Sequence, residues 1–239
     1  MRAALLACLC WLGAAPLAAQ TIQAARFAEP TDRYPHGVLG DDIEHGALAV
    51  TLGPAPGRTH LLRLPPDLVF EDTAPRLVDL DGDGAPEVLT VESHQTLGAR
   101  VAVYGMVSGE PRRVAWSTHI GQRFRWLAIV GAADLDGDGR TEIAFIDRPH
   151  LARVLRILRF APGRMAPVAS LEGLTNHRIG ERDIAGGIRD CDGQGPELVL
   201  ATADWRALAG VRLTPDGLAA RPLGPHEDRA SFAAALACR

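Results

Sequence analysis

The sequence predicts an all-β fold, a β-propeller of about four four-stranded blades. Three observations predict it. A nine-residue acidic motif recurs at near-constant spacing, each copy is followed by short runs rich in Val, Ile and Leu, and helical periodicity is scarce.

The motif copies are DLDGDGAPE at 79–87, DLDGDGRTE at 134–142 and the shorter DCDGQGPE at 190–197. Their starts lie 55 and 56 residues apart. An apolar run precedes each copy: PRLVDL, LAIVGAADL and IAGGIRD. EVLTVES, EIAFID and ELVLATA follow them directly. A second run comes next, at 99–106, 153–160 and 208–214, and a weaker third at 112–118, 165–171 and 218–223. Gly, Pro and Asp bound these runs, which is strand punctuation. Each repeat therefore reads strand, acidic loop, strand, turn, strand, turn, strand. Four antiparallel strands in about 50 residues is the size of a propeller blade.

A degenerate copy is expected over 38–70, where GALAVTL, THLLRL and LVFED occur and Asp41, Asp42 and Glu44 stand in place of the acidic loop. Four blades is the best count. A five-bladed ring, or an incomplete ring closed by the N-terminal segment, stays open. A pair of β-sandwiches fits poorly with one regular period. Only SFAAALAC, 231–238, reads as helix.

Residues 1–19 read as a secretory signal. Arg2 supplies the positive end, residues 3–15 are apolar, and small residues end at Ala19. The apolar run is shorter than the roughly 20 residues that span a bilayer, and no later segment resembles a membrane span. Removing it leaves 24 basic and 29 acidic residues, a net charge of −5. There is no Lys, and an acidic balance argues against a nucleic-acid partner. The expected mature chain is one domain over 20–239, periplasmic or extracellular. Cys8 and Cys10 fall in the signal, so Cys191 and Cys238 are expected to pair in an oxidising compartment.

The acidic loops have a definite chemistry. Acids at positions 1, 3 and 5 gather carboxylates on one side of a tight loop. Gly at position 6 permits the left-handed turn, the position-7 carbonyl is available, and an acid at position 9 completes an oxygen cage. Hard oxygen donors in that number suit Ca²⁺ and not Zn²⁺. The closing acid comes at position 9 instead of 12 and strand follows it, which separates these loops from EF-hands.

DLDGDGxxE in repeated β context behind a signal resembles the calcium loops of FG-GAP/VCBS repeats and of integrin α-chain propellers. The resemblance covers about 38–223. It implies Ca²⁺ ligation by Asp79, Asp81, Asp83, Glu87 and the Ala85 carbonyl, and by Asp134, Asp136, Asp138, Glu142 and the Arg140 carbonyl. The third copy departs from the pattern. Gln194 replaces an acid and the loop is one residue short, so Asp190, Asp192, Gln194 and Glu197 form a weaker candidate. Cys191 sits inside that loop, and a cross-link to the C-terminal tail is expected to clamp the repeat in place of calcium. At free Ca²⁺ ten times the dissociation constant, each bound site adds about 1.4 kcal/mol, a structural role.

Connectors between repeats share Thr, His, Gly and Arg: 118–123 and 175–182, with Tyr34–Gly37 as a looser counterpart. His119, Arg123, His177, Arg178 and Arg182 form a candidate ligand face opposite the metal loops, suited to an anionic ligand. The remaining histidines lack metal-ligand spacing. Trp116, Trp126 and Trp205 read as packing residues, and no nucleophile-elbow, P-loop or dinucleotide motif occurs. The expected function is a non-enzymatic binding or scaffold module for a protein or glycan. An extracellular hydrolase or lyase with its active site on the propeller face is the rival reading.

Overall fold

The computed structural model describes residues 20–53 and 57–239; the signal expected over 1–19 lies outside them. The chain is built from strands β1 (Ile22–Thr31), β2 (Glu44–Leu52), β3 (Arg58–Arg63), β4 (Leu68–Phe70), β5 (Arg76–Val78), β6 (Glu87–His94), β7 (Gly98–Val107) and β8 (Glu110–Trp116). Then come β9 (Leu127–Ala133), β10 (Glu142–Asp147), β11 (Val154–Ala161), β12 (Arg164–Glu172), β13 (Leu174–Thr175), β14 (Gly187–Arg189), β15 (Glu197–Thr202), β16 (Ala207–Thr214) and β17 (Gly217–Pro225). Helix α1 (Arg229–Leu236) follows, two residues earlier than the sequence suggests. No helix among the described residues is long and apolar enough to cross a membrane.

All strand pairs are antiparallel. The three motif-bearing repeats are the meanders β5–β8, β9–β12 and β14–β17. In each, the closing acid opens the second strand and faces the last residue of the first: Val78 opposite Glu87, Ala133 opposite Glu142, Arg189 opposite Glu197. Thr31 faces Glu44 in the same way. The degenerate repeat is therefore β1–β2–β3, with 32–43 as its long loop. The sequence reading overlooks β1, because IQAARFAEPT mixes Ala and charges and buries only Ile22. It also places LVFED in this repeat. The structure gives that segment to the next one, since β4 pairs with β6 and bridges to β2 through Phe70 and His45 alone. The first strand of the second repeat is thus split into β4 and β5, with Pro75, which lacks an N–H, between them. The fourth repeat is split likewise into β13 and β14.

The central strands explain the continuous apolar runs. Side chains alternate between faces along a strand, and here both faces are buried, as in strands covered on both sides. Val88 packs with Leu48, Val50 and Tyr104 between the first and second repeats. Its neighbour Leu89 points the other way, into a core with Val103, Ile129 and Phe145 between the second and third. Ile146 joins Leu198, Leu200 and Val211 between the third and fourth. Val199 and Ala201 face Phe232 and Ala235 of α1. Four repeats thus enclose three inter-sheet cores in series, and α1 covers the last face.

Loop 32–43 ties the repeats together. The Tyr34 hydroxyl accepts from the Phe124 N–H at 2.8 Å, Gln95 Nε2 donates to the Arg33 carbonyl at 2.7 Å, and the Gly180 N–H donates to the Val38 carbonyl at 3.0 Å. One loop of the first repeat therefore reaches all three of the others. Helix α1 is capped by Asp228 and Ser231. It is held by the Cys191–Cys238 disulfide and by Arg189 donating to the Ala235 carbonyl at 2.6 Å.

Candidate metal sites

The acidic loops organise themselves through backbone donors. Asp79 accepts from the Gly82 and Gly84 N–H groups at 2.9 and 3.0 Å, and Asp83 accepts from the Ala85 N–H at 2.7 Å. Gly82 and Gly84 have φ of 78° and 85°, a region where a Cβ is strained. Leu80 buries its side chain in the core while its N–H donates to Glu87 at 2.9 Å. The 134–142 loop repeats the pattern. Asp134 accepts from Gly137 and Gly139, Asp138 from Arg140, and Glu142 from the N–H of buried Leu135. As a result, oxygens of Asp79, Asp81 and Glu87 lie within 4.8 Å of one another, as do those of Asp134, Asp136 and Glu142. Asp83 and Asp138 sit beside these groups and hold the loop backbone. Ala85 and Arg140 occupy the seventh positions, their N–H groups committed to those two acids.

The loops differ in their compensating charge. Among the described residues, no Arg or His comes within ion-pair distance of Asp79, Asp81, Asp83 or Glu87. Burial, reinforced by the three aspartates, pushes Glu87 up to about 7. In the next repeat, Arg159 lies 2.6 Å from Asp136, 3.1 Å from Asp138 and 2.6 Å from Glu142, and Arg140 binds Asp138 at 2.6 Å. Burial still raises Glu142, with Arg159 opposing it. In the last repeat, Arg212 takes Asp192 at 2.7 Å and Gln194 at 2.9 Å. Arg189 and Arg221 each approach Glu197 to 2.6 Å. Burial there pulls Glu197 upward, but the Arg221 and Arg189 hydrogen bonds outweigh it and hold the group below its ordinary range. Counting loop acids against these arginines, the loops carry −4, then −2, then 0.

Register accounts for the first step of the series; Arg140, Arg189, Arg221 and the missing acid of the last loop supply the rest. Glu142 pairs with Arg159 across the next strand, and one residue beyond the Val88–Tyr104 and Leu198–Val211 pairs the same position falls to Gly105 and Arg212. A Cβ on Gly105 would stand 3.3 Å from Glu87 Cγ, so the position adjoins the acid directly. The sequence reading weighs the acids and passes over these cross-strand positions. The signal was present one hairpin downstream of each motif. Asp190 accepts only from the Gly193 N–H at 3.2 Å, and its loop forms no three-acid group among the described residues.

Glu44, the counterpart in the degenerate repeat, is 2% exposed and its Oε1 has no hydrogen-bond partner among the described residues. Burial, then repulsion from Glu71, Asp41 and Asp72, pushes it up to about 9.

The candidate ligand-face residues lie on the connectors but are engaged separately. His119 Nδ1 donates to the Gly98 carbonyl at 2.7 Å. Arg123 stacks over Phe124 with its guanidinium carbon 4.5 Å from the ring centroid, and Arg178 stacks over Trp205 at 4.4 Å. His177 is fully buried, 2.9 Å from both His150 and the Glu181 carbonyl. Arg182 is 3.9 Å from Asp41. Among the described residues, no hydrogen bond or ion pair joins any of the five to another. Trp126 is core and donates to the Glu71 carbonyl at 2.8 Å, whereas Trp116 is half-exposed under Arg113.

Compared with known families, residues 79–145 match the FG-GAP-like repeat. That span runs from the first complete acidic loop, through the β6–β8 meander, to the second loop and β10. It supports the repeat family over the two copies whose acids cluster. No curated protein matches the chain.

Proposed function

We propose that the chain is a secreted, calcium-stabilised β-propeller that serves as a binding or scaffold module for a protein or glycan ligand. One observation carries the reading: the 79–87 loop holds four carboxylates preorganised by its own backbone and compensated by no cation. Like charges at that spacing are costly unless a multivalent ion sits among them. An all-oxygen donor set with a carbonyl at the seventh position favours Ca²⁺ over thiophilic metals. One three-stranded repeat and three four-stranded meanders stacked in series, tied by loop 32–43, favour a radial arrangement. The disulfide between Cys191 and Cys238 favours an oxidising compartment.

The test is metal analysis and thermal melting of the purified protein. Calcium should copurify, chelation should lower the melting temperature, and Asp81→Asn should remove most of that response. A protein that binds no calcium and melts identically with and without chelator overturns the reading.

A further inference from the structure

A half-open cleft of about 480 Å³ lies between residues 117–120 and strands β9–β12 of the third repeat. Phe145 and Leu158 give it an apolar floor, and His119 stands at its rim. Its charged wall is unusual. Asp147 has a side chain only 6% exposed and spends both oxygens on arginines. It accepts from Arg148 Nε at 2.7 Å and Nη2 at 3.0 Å, and from Arg156 Nε at 2.8 Å. One carboxylate thus holds two guanidiniums in place. Both terminal nitrogens of Arg156, and Nη1 of Arg148, have no hydrogen-bond partner among the described residues. The wall carries one net positive charge and several free donors beside an apolar floor.

We propose that this cleft binds an organic carboxylate with an apolar body, its carboxylate on Arg156 and Arg148 and its body on Phe145 and Leu158. Asp147 serves as a positioning residue: it fixes the planar guanidinium forks, so little side-chain freedom is lost when a carboxylate docks. The apolar floor supplies affinity that free acetate would not gain. The proposal rests on the binding-module reading and names the ligand class that module takes.

The test uses the full chain in excess calcium, titrated with 4-phenylbutyrate, its neutral amide and acetate, with binding read by calorimetry or ligand-observed NMR. Phenylbutyrate should bind at least ten-fold more tightly than either control. Arg156→Gln should weaken phenylbutyrate about ten-fold; it also removes a cation from the 6%-exposed Asp147, so affinity is measured well below the variant's own melting temperature, where the chain is folded. Equal binding of acid and amide, or unchanged affinity in Arg156→Gln, overturns the proposal. The calcium response of melting is recorded on the same samples. If it persists while phenylbutyrate fails to bind, the cleft assignment falls and the module reading stands; if it too is absent, the module reading falls.

Discussion

Exchanging the residues opposite the closing acids should exchange the calcium affinities of the two complete loops. Arg159 contacts three acids of the 134–142 loop and stands where a cation would be attracted, whereas its counterpart beside Glu87 is Gly105. A divalent ion held by those acids would lie about 5 Å from the guanidinium. Even with a near-aqueous dielectric, a lower bound for a loop whose aspartates are only part-exposed, the repulsion is about 1.7 kcal/mol. That corresponds to about 15- to 20-fold in affinity. The wild type should therefore show two unequal calcium sites, the tighter at 79–87. Arg159→Gln should raise the weaker site toward it, with Arg140 still paired to Asp138. Gly105→Arg should depress the tighter one by a similar factor. The new side chain needs Glu87 and Val114 to yield only a few tenths of an ångström, and the backbone there is not left-handed. Calorimetric titration or terbium luminescence reads both constants, and Asp81→Asn assigns which is which. Two equal sites in the wild type, or an affinity indifferent to Arg159→Gln, would refute the argument that cross-strand charge sets loop affinity.

Two further outcomes follow from groups outside the loops. Cys191 and Cys238 are 47 residues apart, and closing a loop of that length is worth about 4 kcal/mol in the chain-entropy account. Cys238→Ser should accordingly lower the melting temperature under oxidising conditions and leave it unchanged under reducing ones. Glu44 sets a pH dependence: it titrates near 9 when folded and near 4.5 when unfolded, so the native state holds more protons between those values and stability falls as pH rises through them. Burial pushes His150 down to about 4, which gives the opposite slope, but only below its ordinary 6.5. Between pH 6.5 and 9 the Glu44 effect is thus free of His150 and, in denaturant titrations, contributes at most about 3 kcal/mol of loss, beside same-signed contributions from Glu87, pushed up to about 7, and from buried Glu71. Glu44→Gln should flatten that slope; a stability constant across this range in the wild type would discount the buried acid.

Most of the architecture was legible because the repeat writes it several times. Once EVLTV, EIAFI and ELVLA are seen as strands apolar on both faces, neighbours must cover both sides, and the three serial cores meet that demand. What escaped reading lacked a repeated signal. β1 is mostly exposed and shows little alternation. The first strand is split in the second repeat around Pro75 and in the fourth repeat, between β13 and β14, without a Pro, so the split has no shared motif of its own. His119, Arg123, His177, Arg178 and Arg182 share a position on connectors, but position does not fix the partner each side chain takes. Trp205 and Phe124 offer π faces close by, and Arg178 and Arg123 take them.

The acidic motif raises a different matter, since all three copies look alike until the opposite strand is read. A carboxylate cluster is one half of an electrostatic arrangement, and the other half lies where the register places it. Glu142 and Glu197 face Arg159 and Arg212, so part or all of the need for a cation is met by the protein itself. Glu87 adjoins Gly105, which has no side chain to offer, and no cation compensates its loop among the described residues. The fourth repeat goes furthest: three arginines neutralise its loop, and a covalent bond through Cys191 fastens it to the C-terminal segment. Calcium dependence should then decline along the chain from the second repeat to the fourth, and the residue facing each closing acid is the position from which that order is read.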